Sequence, residues 1–197
     1  MMGLWRRTSV ESYKTPAPQW ETLIDLDKLS ADEGKKWSFK GADCLAPEYV
    51  RCLVSLSPDG GDAVEVREFD INTKSFVAGG FTLPTGKSTV SWIDGDTVLV
   101  GTDFGEGSTT TSGYPRIAKL WKRGAPVSEA KLVFEGKTED TAVWPVIYET
   151  ADGVVPTVVR AVDFFDSETY VVADDGSVKM VPLPLYAEIR AIFKHQV

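Results

Sequence analysis

Short runs rich in Val, Thr, Phe, Tyr and Trp alternate along the chain with glycine, proline and aspartate. β-Branched and aromatic residues suit a pleated, half-buried surface. Turn signals recur at Asp59-Gly60-Gly61, Asn72-Thr73-Lys74, Asp94-Gly95-Asp96, Asp152-Gly153 and Asp175-Gly176. Each separates strand-like runs of about five to eight residues, the spacing of antiparallel hairpins. Asp and Gly tolerate the positive φ that tight turns require. Helical periodicity is nearly absent. Its best stretch is Leu26 to Lys36, where Ser30 can cap a turn and Glu33 complete a capping box before Gly34 ends it. This segment reads as a loop carrying one helical turn.

Taken in order, the strands repeat. Residues 37–44, 51–57, 63–70 and 74–83 make one set of four, and 88–94, 97–104, 115–123 and 130–135 a second. A third falls at 142–149, 156–164, 168–173 and 177–183. The sets begin roughly 50 residues apart, near the ~40–50-residue period of propeller blades. Residues 4–10 and 20–26 read as the outer strands of a preceding unit, and 188–193 as the first strand of a following one. The pattern predicts one all-β domain over 1–197, an incomplete β-propeller of four-stranded antiparallel blades. Its units are a half-blade at about 1–30, blades at 37–83, 88–136 and 142–184, and the start of another at 186–197.

Composition narrows the function. The 197 residues hold 29 acidic and 21 basic side chains, for a net charge of -8, and 43% are hydrophobic. That is long and apolar enough to bury a core. The acidic balance speaks against a nucleic-acid partner. No run approaches the ~18 apolar residues of a membrane span. The opening Met1-Met2-Gly3-Leu4-Trp5-Arg6-Arg7 has no apolar secretory segment, so a cytoplasmic location is expected.

The residue patterns of familiar catalysts are missing. A nucleophile elbow needs Gly-x-Ser-x-Gly, and the nearest pairs, Gly107-Ser108 and Ser112-Gly113, lack the second spaced glycine. A triad needs a histidine base. The single histidine, His195, sits beside the C-terminus, where chains fray. Gly86-Lys87-Ser88 resembles the end of a phosphate loop, but Phe81 stands where the first glycine belongs. It reads as a turn between units. Cys44 and Cys52 have no nearby histidine to complete a zinc site; they fall on successive strands that could set them face to face across a hairpin, but in a reducing compartment they read as buried free thiols. Asp94, Asp96 and Asp103 lack the calcium-loop register. Asp62 with Glu65, and Glu139 with Asp140, are the chance pairs expected among 29 acidic residues. The polar stretch Gly105 to Gly113 reads as a flexible connector on one rim. No catalytic, cofactor-binding or metal-ligating residue is assigned, and no cofactor is expected.

Several segments nevertheless have a family look. Gly3-Leu4-Trp5-Arg6-Arg7-Thr8, Trp20-Glu21-Thr22-Leu23-Ile24-Asp25-Leu26-Asp27 and Lys40-Gly41-Ala42-Asp43-Cys44 resemble the propeller of the prolyl oligopeptidase family of serine peptidases. So do Arg51-Cys52-Leu53-Val54-Ser55-Leu56-Ser57, Val66-Arg67-Glu68-Phe69-Asp70, Thr102-Asp103-Phe104-Gly105 and Ser112-Gly113-Tyr114-Pro115-Arg116, in the same order. The resemblance implies a seven-bladed propeller joined to an α/β-hydrolase domain with a Ser-Asp-His triad. That hydrolase portion has no counterpart here, so none of its catalytic residues carries over. The chain is then expected to be a non-catalytic propeller fragment, gating peptide substrates only in the context of the full enzyme. The alternative is a stand-alone interaction module without enzymatic activity. Because three blades and two halves cannot close, Trp5, Leu23, Ile189 and Phe193 are expected to be exposed. Open blade edges would then drive homo-oligomer formation.

Overall fold

The structure is a computed structural model that describes residues 3–193. Strands β1 (Leu4–Arg7) and β2 (Glu21–Asp25) form an antiparallel ribbon, with a short helix α1 (Val10–Tyr13) between them. Helix α2 (Leu26–Glu33) follows at once. It corrects the expected single turn, running eight residues. Asp25, not Ser30, is the cap, accepting from the Lys28 N–H at 3.0 Å, and left-handed Gly34 (φ 67°) ends the helix. The would-be capping box is used elsewhere. Ser30 Oγ accepts from the Trp37 N–H, and Glu33 accepts from Trp37 Nε1.

Three larger antiparallel sheets succeed one another. The first contains β3 (Ser38–Cys44), β4 (Arg51–Ser57) and β5 (Val64–Asp70) in that order. Its outermost strand, expected unbroken over 74–83, is instead split into β6 (Ser75–Phe76) and β7 (Thr82–Gly86), both paired with β5. The break surrounds the Glu68 carboxylate, which accepts from the Phe81 N–H at 2.9 Å. A Cβ on Gly80 would lie 2.8 Å from Glu68 Oε2, so only glycine lets the chain pass this close. The second sheet is β8 (Thr89–Asp94), β9 (Thr97–Gly101), β10 (Ile117–Lys122) and β11 (Lys131–Glu135). The third is β12 (Ala142–Thr150), β13 (Gly153–Ala161), β14 (Ser167–Val172) and β15 (Val178–Met180).

Strand periodicity explains how the sheets stack. Successive side chains point to opposite faces. From β4, Cys52, Val54 and Leu56 enter a core shared with Leu23, Ile24 and Leu26, while Leu53 enters the core on the other face. From β9, Val98 and Val100 meet the first sheet around Phe81, Trp92 and Trp121. Leu99 points the other way, to Val143, Val158 and Val172 of the third sheet. The central strands are therefore apolar on both sides, and face-to-face stacking of sheets follows. This is the architecture of a partial β-propeller, mostly β and not closed into a barrel.

Two expectations about the ends need correction. Leu23 is buried and Trp5 half-buried, stacked 5.5 Å from Phe39, because the ribbon and α2 fold onto the free face of the first sheet. At the other end, 188–192 form no strand and Phe193 has a single bridge position. A strand needs a neighbour along its length to satisfy its backbone. This segment instead leans on the third sheet, with Ile189 half-buried and its carbonyl accepting from Tyr148 Oη at 2.9 Å. Phe193 is exposed, as expected.

Candidate functional site on the first strands

The first strands of the three large sheets lie side by side, β8 touching both β3 and β12. They wall a cavity of about 480 Å³. Asp43, Cys44, Leu45 and Ala46 come from the end of β3 and the loop after it. Ser91 to Gly95 come from β8 and its turn, and Pro145, Val146, Ile147 and Glu149 from β12. Trp92 Nε1 donates to the Asp43 carbonyl at 3.0 Å and ties the first two walls together.

The lining holds three carboxylates, Asp43, Asp94 and Glu149, and no lysine or arginine. Burial pushes the Asp43 carboxyl above its ordinary value of 3.8, outweighing the hydrogen bonds from Ser91 and the Trp92 backbone that favour its charge. Glu149 accepts from Tyr49 Oη at 2.9 Å, a bond between residues 100 apart in sequence. That carboxylate in turn raises the Tyr49 phenol. The arrangement is an acidic, partly apolar hollow. Its residues are too scattered for a local motif. The available signal is positional: they all sit on the first strand, or beside it, of a repeated unit.

The sequence candidates are placed elsewhere. Ser108 is buried, its Oγ hydrogen-bonded within the 103–108 turn. Thr110 is buried too, and Thr109 bridges Pro115, so the stretch from Gly105 to Gly113 is anchored rather than a loose connector. The Ser112 carbonyl accepts from Lys87 Nζ. Gly86-Lys87-Ser88 joins β7 to β8 as a turn between sheets. Asp94 accepts from the Asp96 N–H inside its own hairpin. Asp62 accepts from Tyr114 Oη, Glu65 pairs with Arg67, and Asp140 pairs with Arg160. No group of three or more His, Cys, Asp or Glu able to hold a metal occurs among the described residues. His195 lies outside them.

The two cysteines are the clear correction. Cys44 and Cys52 form a disulfide, not two free thiols. They stand directly opposite each other on β3 and β4. Antiparallel register brings such a pair's side chains to the same face, within bonding reach.

Stacked four-stranded sheets with their first strands on one shared hollow define a β-propeller segment. Residues 3–188 match the family described as Prolyl oligopeptidase, N-terminal beta-propeller domain. The chain belongs to that family. It is 41% identical to an uncharacterized peptidase, y4nA, of Sinorhizobium fredii, covering all of this chain and 28% of that protein. It is 32% identical to an uncharacterized peptidase, RP174, of Rickettsia prowazekii, over 99% of this chain and 29% of that protein. Among solved structures, a post-proline cleaving enzyme from Rickettsia typhi superposes with a TM-score of 0.90 at 32% identity, over 98% of this chain and 30% of that one. Oligopeptidase B from Leishmania major, at 14% identity and a TM-score of 0.67, shares the fold. The chain thus spans less than a third of the length of these relatives. No helix among the described residues is long and apolar enough to cross a membrane.

Proposed function

We propose that the chain is the non-catalytic propeller portion of a prolyl-oligopeptidase-like serine peptidase, and that its first-strand hollow lines the route by which short peptides reach a catalytic domain. The observation that carries this reading is the shared wall of β3, β8 and β12 around one acidic cavity. On this reading the isolated chain hydrolyses no proline-containing peptide. Turnover of a chromogenic proline peptide that a serine-directed inhibitor abolishes would contradict it. The positive test is a chimera in which this segment replaces its counterpart in the Sinorhizobium relative. It should cleave short proline peptides and spare long unfolded chains. Equal cleavage of both would remove the gating role.

Association is a second proposal, carried by two exposed aromatic rings on the third sheet. Phe164 and Phe165 are 88% and 81% exposed at the β13–β14 turn. The Asp163 carboxylate accepts from the Phe165 and Asp166 N–H groups, which fixes that turn with both rings outward. A second copy of the chain is the proposed occupant.

A further inference from the structure

The loop between β3 and β4 is tied down at three places. Cys44 and Cys52 close its base covalently. Inside it, the Leu45 N–H donates to the Arg51 carbonyl and the Tyr49 N–H to the Leu45 carbonyl, at 2.8 and 2.9 Å. At its far side Tyr49 Oη reaches Glu149 on the third sheet. Tyr49 has a φ of 53°, a left-handed conformation that a bulky residue keeps only where its surroundings hold it. Leu45 and Ala46 form one wall of the first-strand cavity and Glu149 another, so the phenol–carboxylate bond joins two walls of the same hollow. Cys52 is fully buried, whereas Cys44 is partly exposed and lines the cavity.

We propose that the Cys44–Cys52 disulfide is a redox-reactive site that latches this loop across the cavity, and that a small dithiol entering the cavity releases it. A thiolate of the dithiol attacks the Cys44 sulfur, and the Cys44–Cys52 bond breaks with its electron pair leaving on Cys52, which takes a proton from water. The second thiol then attacks the mixed disulfide. Cys44 leaves as a thiol, and the reagent ends as its own cyclic disulfide. The protein disulfide is reduced by two electrons and the dithiol is oxidised by two. Without the covalent base, the left-handed Tyr49 is held only by hydrogen bonds, and the loop opens away from Glu149. That this opening widens a peptide route rests on the reading in the preceding subsection. The latch itself does not.

The test is hydrogen exchange on the whole chain, oxidised and after treatment with dithiothreitol under native conditions. The Leu45 and Tyr49 amides, hydrogen-bonded inside the loop, should exchange at least tenfold faster after reduction, while β4, β9 and β13 keep their protection. Unchanged loop protection would overturn the latch, and so would loss of protection throughout the sheets, which would make the bond a fold staple. A disulfide that resists dithiothreitol until the protein unfolds would overturn its reactivity. Tyr49→Phe keeps both cysteines and removes only the hydroxyl. In that variant native-state reduction should run at least threefold faster, and an unchanged rate would count against the coupling of loop to cavity wall. None of these readouts uses peptide cleavage, so failure here leaves the gating chimera to be judged separately.

Discussion

Glu68 shows how much one side chain can organise. Its carboxylate is wholly buried between the first and second sheets and accepts from Arg51, Arg123 and the Phe81 N–H. Burial alone would raise it, but the bonds from Arg123, Phe81 and Arg51 together hold it below its ordinary value of 4.5. Glu68→Ala leaves two guanidiniums and a backbone N–H without their shared acceptor. It should cost about 1–3 kcal/mol in denaturant unfolding, since Arg51 keeps Asp70 and Arg123 keeps Asp96 as partners. The folded protein gives up this proton more readily than the unfolded chain. The stabilisation is therefore complete above pH 4.5 and lost as pH falls through the lower folded value. The slope of stability against pH below 4.5 should flatten in the variant. Asp43 is the opposite case. Its raised carboxyl means that charge costs stability at neutral pH and costs nothing once protonated. Asp43→Asn should raise the Tm at pH 7 and give no gain below pH 3.8.

At the scale of elements, local signals and packing disagree most in α2. Ser30 and Glu33 make a plausible capping box in the sequence. Yet Leu26 is only 2% exposed, and burying it under the ribbon draws the helix start back to Asp25. Asp25→Ala should cost about 1 kcal/mol of stability, the usual worth of a cap. Far-ultraviolet circular dichroism should show mainly β structure, since α2 is the longest helix among the described residues. The strands were legible because alternation and turn residues agree. Most observed boundaries fall within a residue or two of those read from the pattern, but β1, β9, β13 and β15 each miss by three residues at one end or both. The split of β6 from β7 was not legible. It depends on Glu68 reaching into the ladder from a neighbouring strand, an interaction that no local window contains.

For the whole molecule, the two ends are unequal. The N-terminal ribbon covers its neighbouring sheet, with Trp5, Leu23 and Ile24 packed into a shared core. The third sheet leaves Phe164 and Phe165 exposed at its β13–β14 turn. Apolar groups gathered on a surface favour association. Light scattering coupled to size exclusion at micromolar concentration should therefore find a dimer. Its mass should fall on dilution or on Phe164→Ser/Phe165→Ser substitution. A single peak at the 21.6 kDa monomer mass, unchanged on dilution, would contradict it.

The sequence by itself determined the repeated four-strand unit, because period-two alternation and Asp-Gly turns are properties of neighbouring residues. It also carried the family likeness, through ordered segments such as Gly3 to Thr8 and Arg51 to Ser57. Tertiary structure alone decided the rest. The bonding of Cys44 to Cys52 depends on β3–β4 register, which a spacing of eight does not specify. The cavity needs Asp43, Ser91 and Glu149 from three sheets, and the Tyr49–Glu149 bond spans 100 residues. Contacts between residues so far apart are chosen by how sheets stack, a choice made by the apolar area each face can bury.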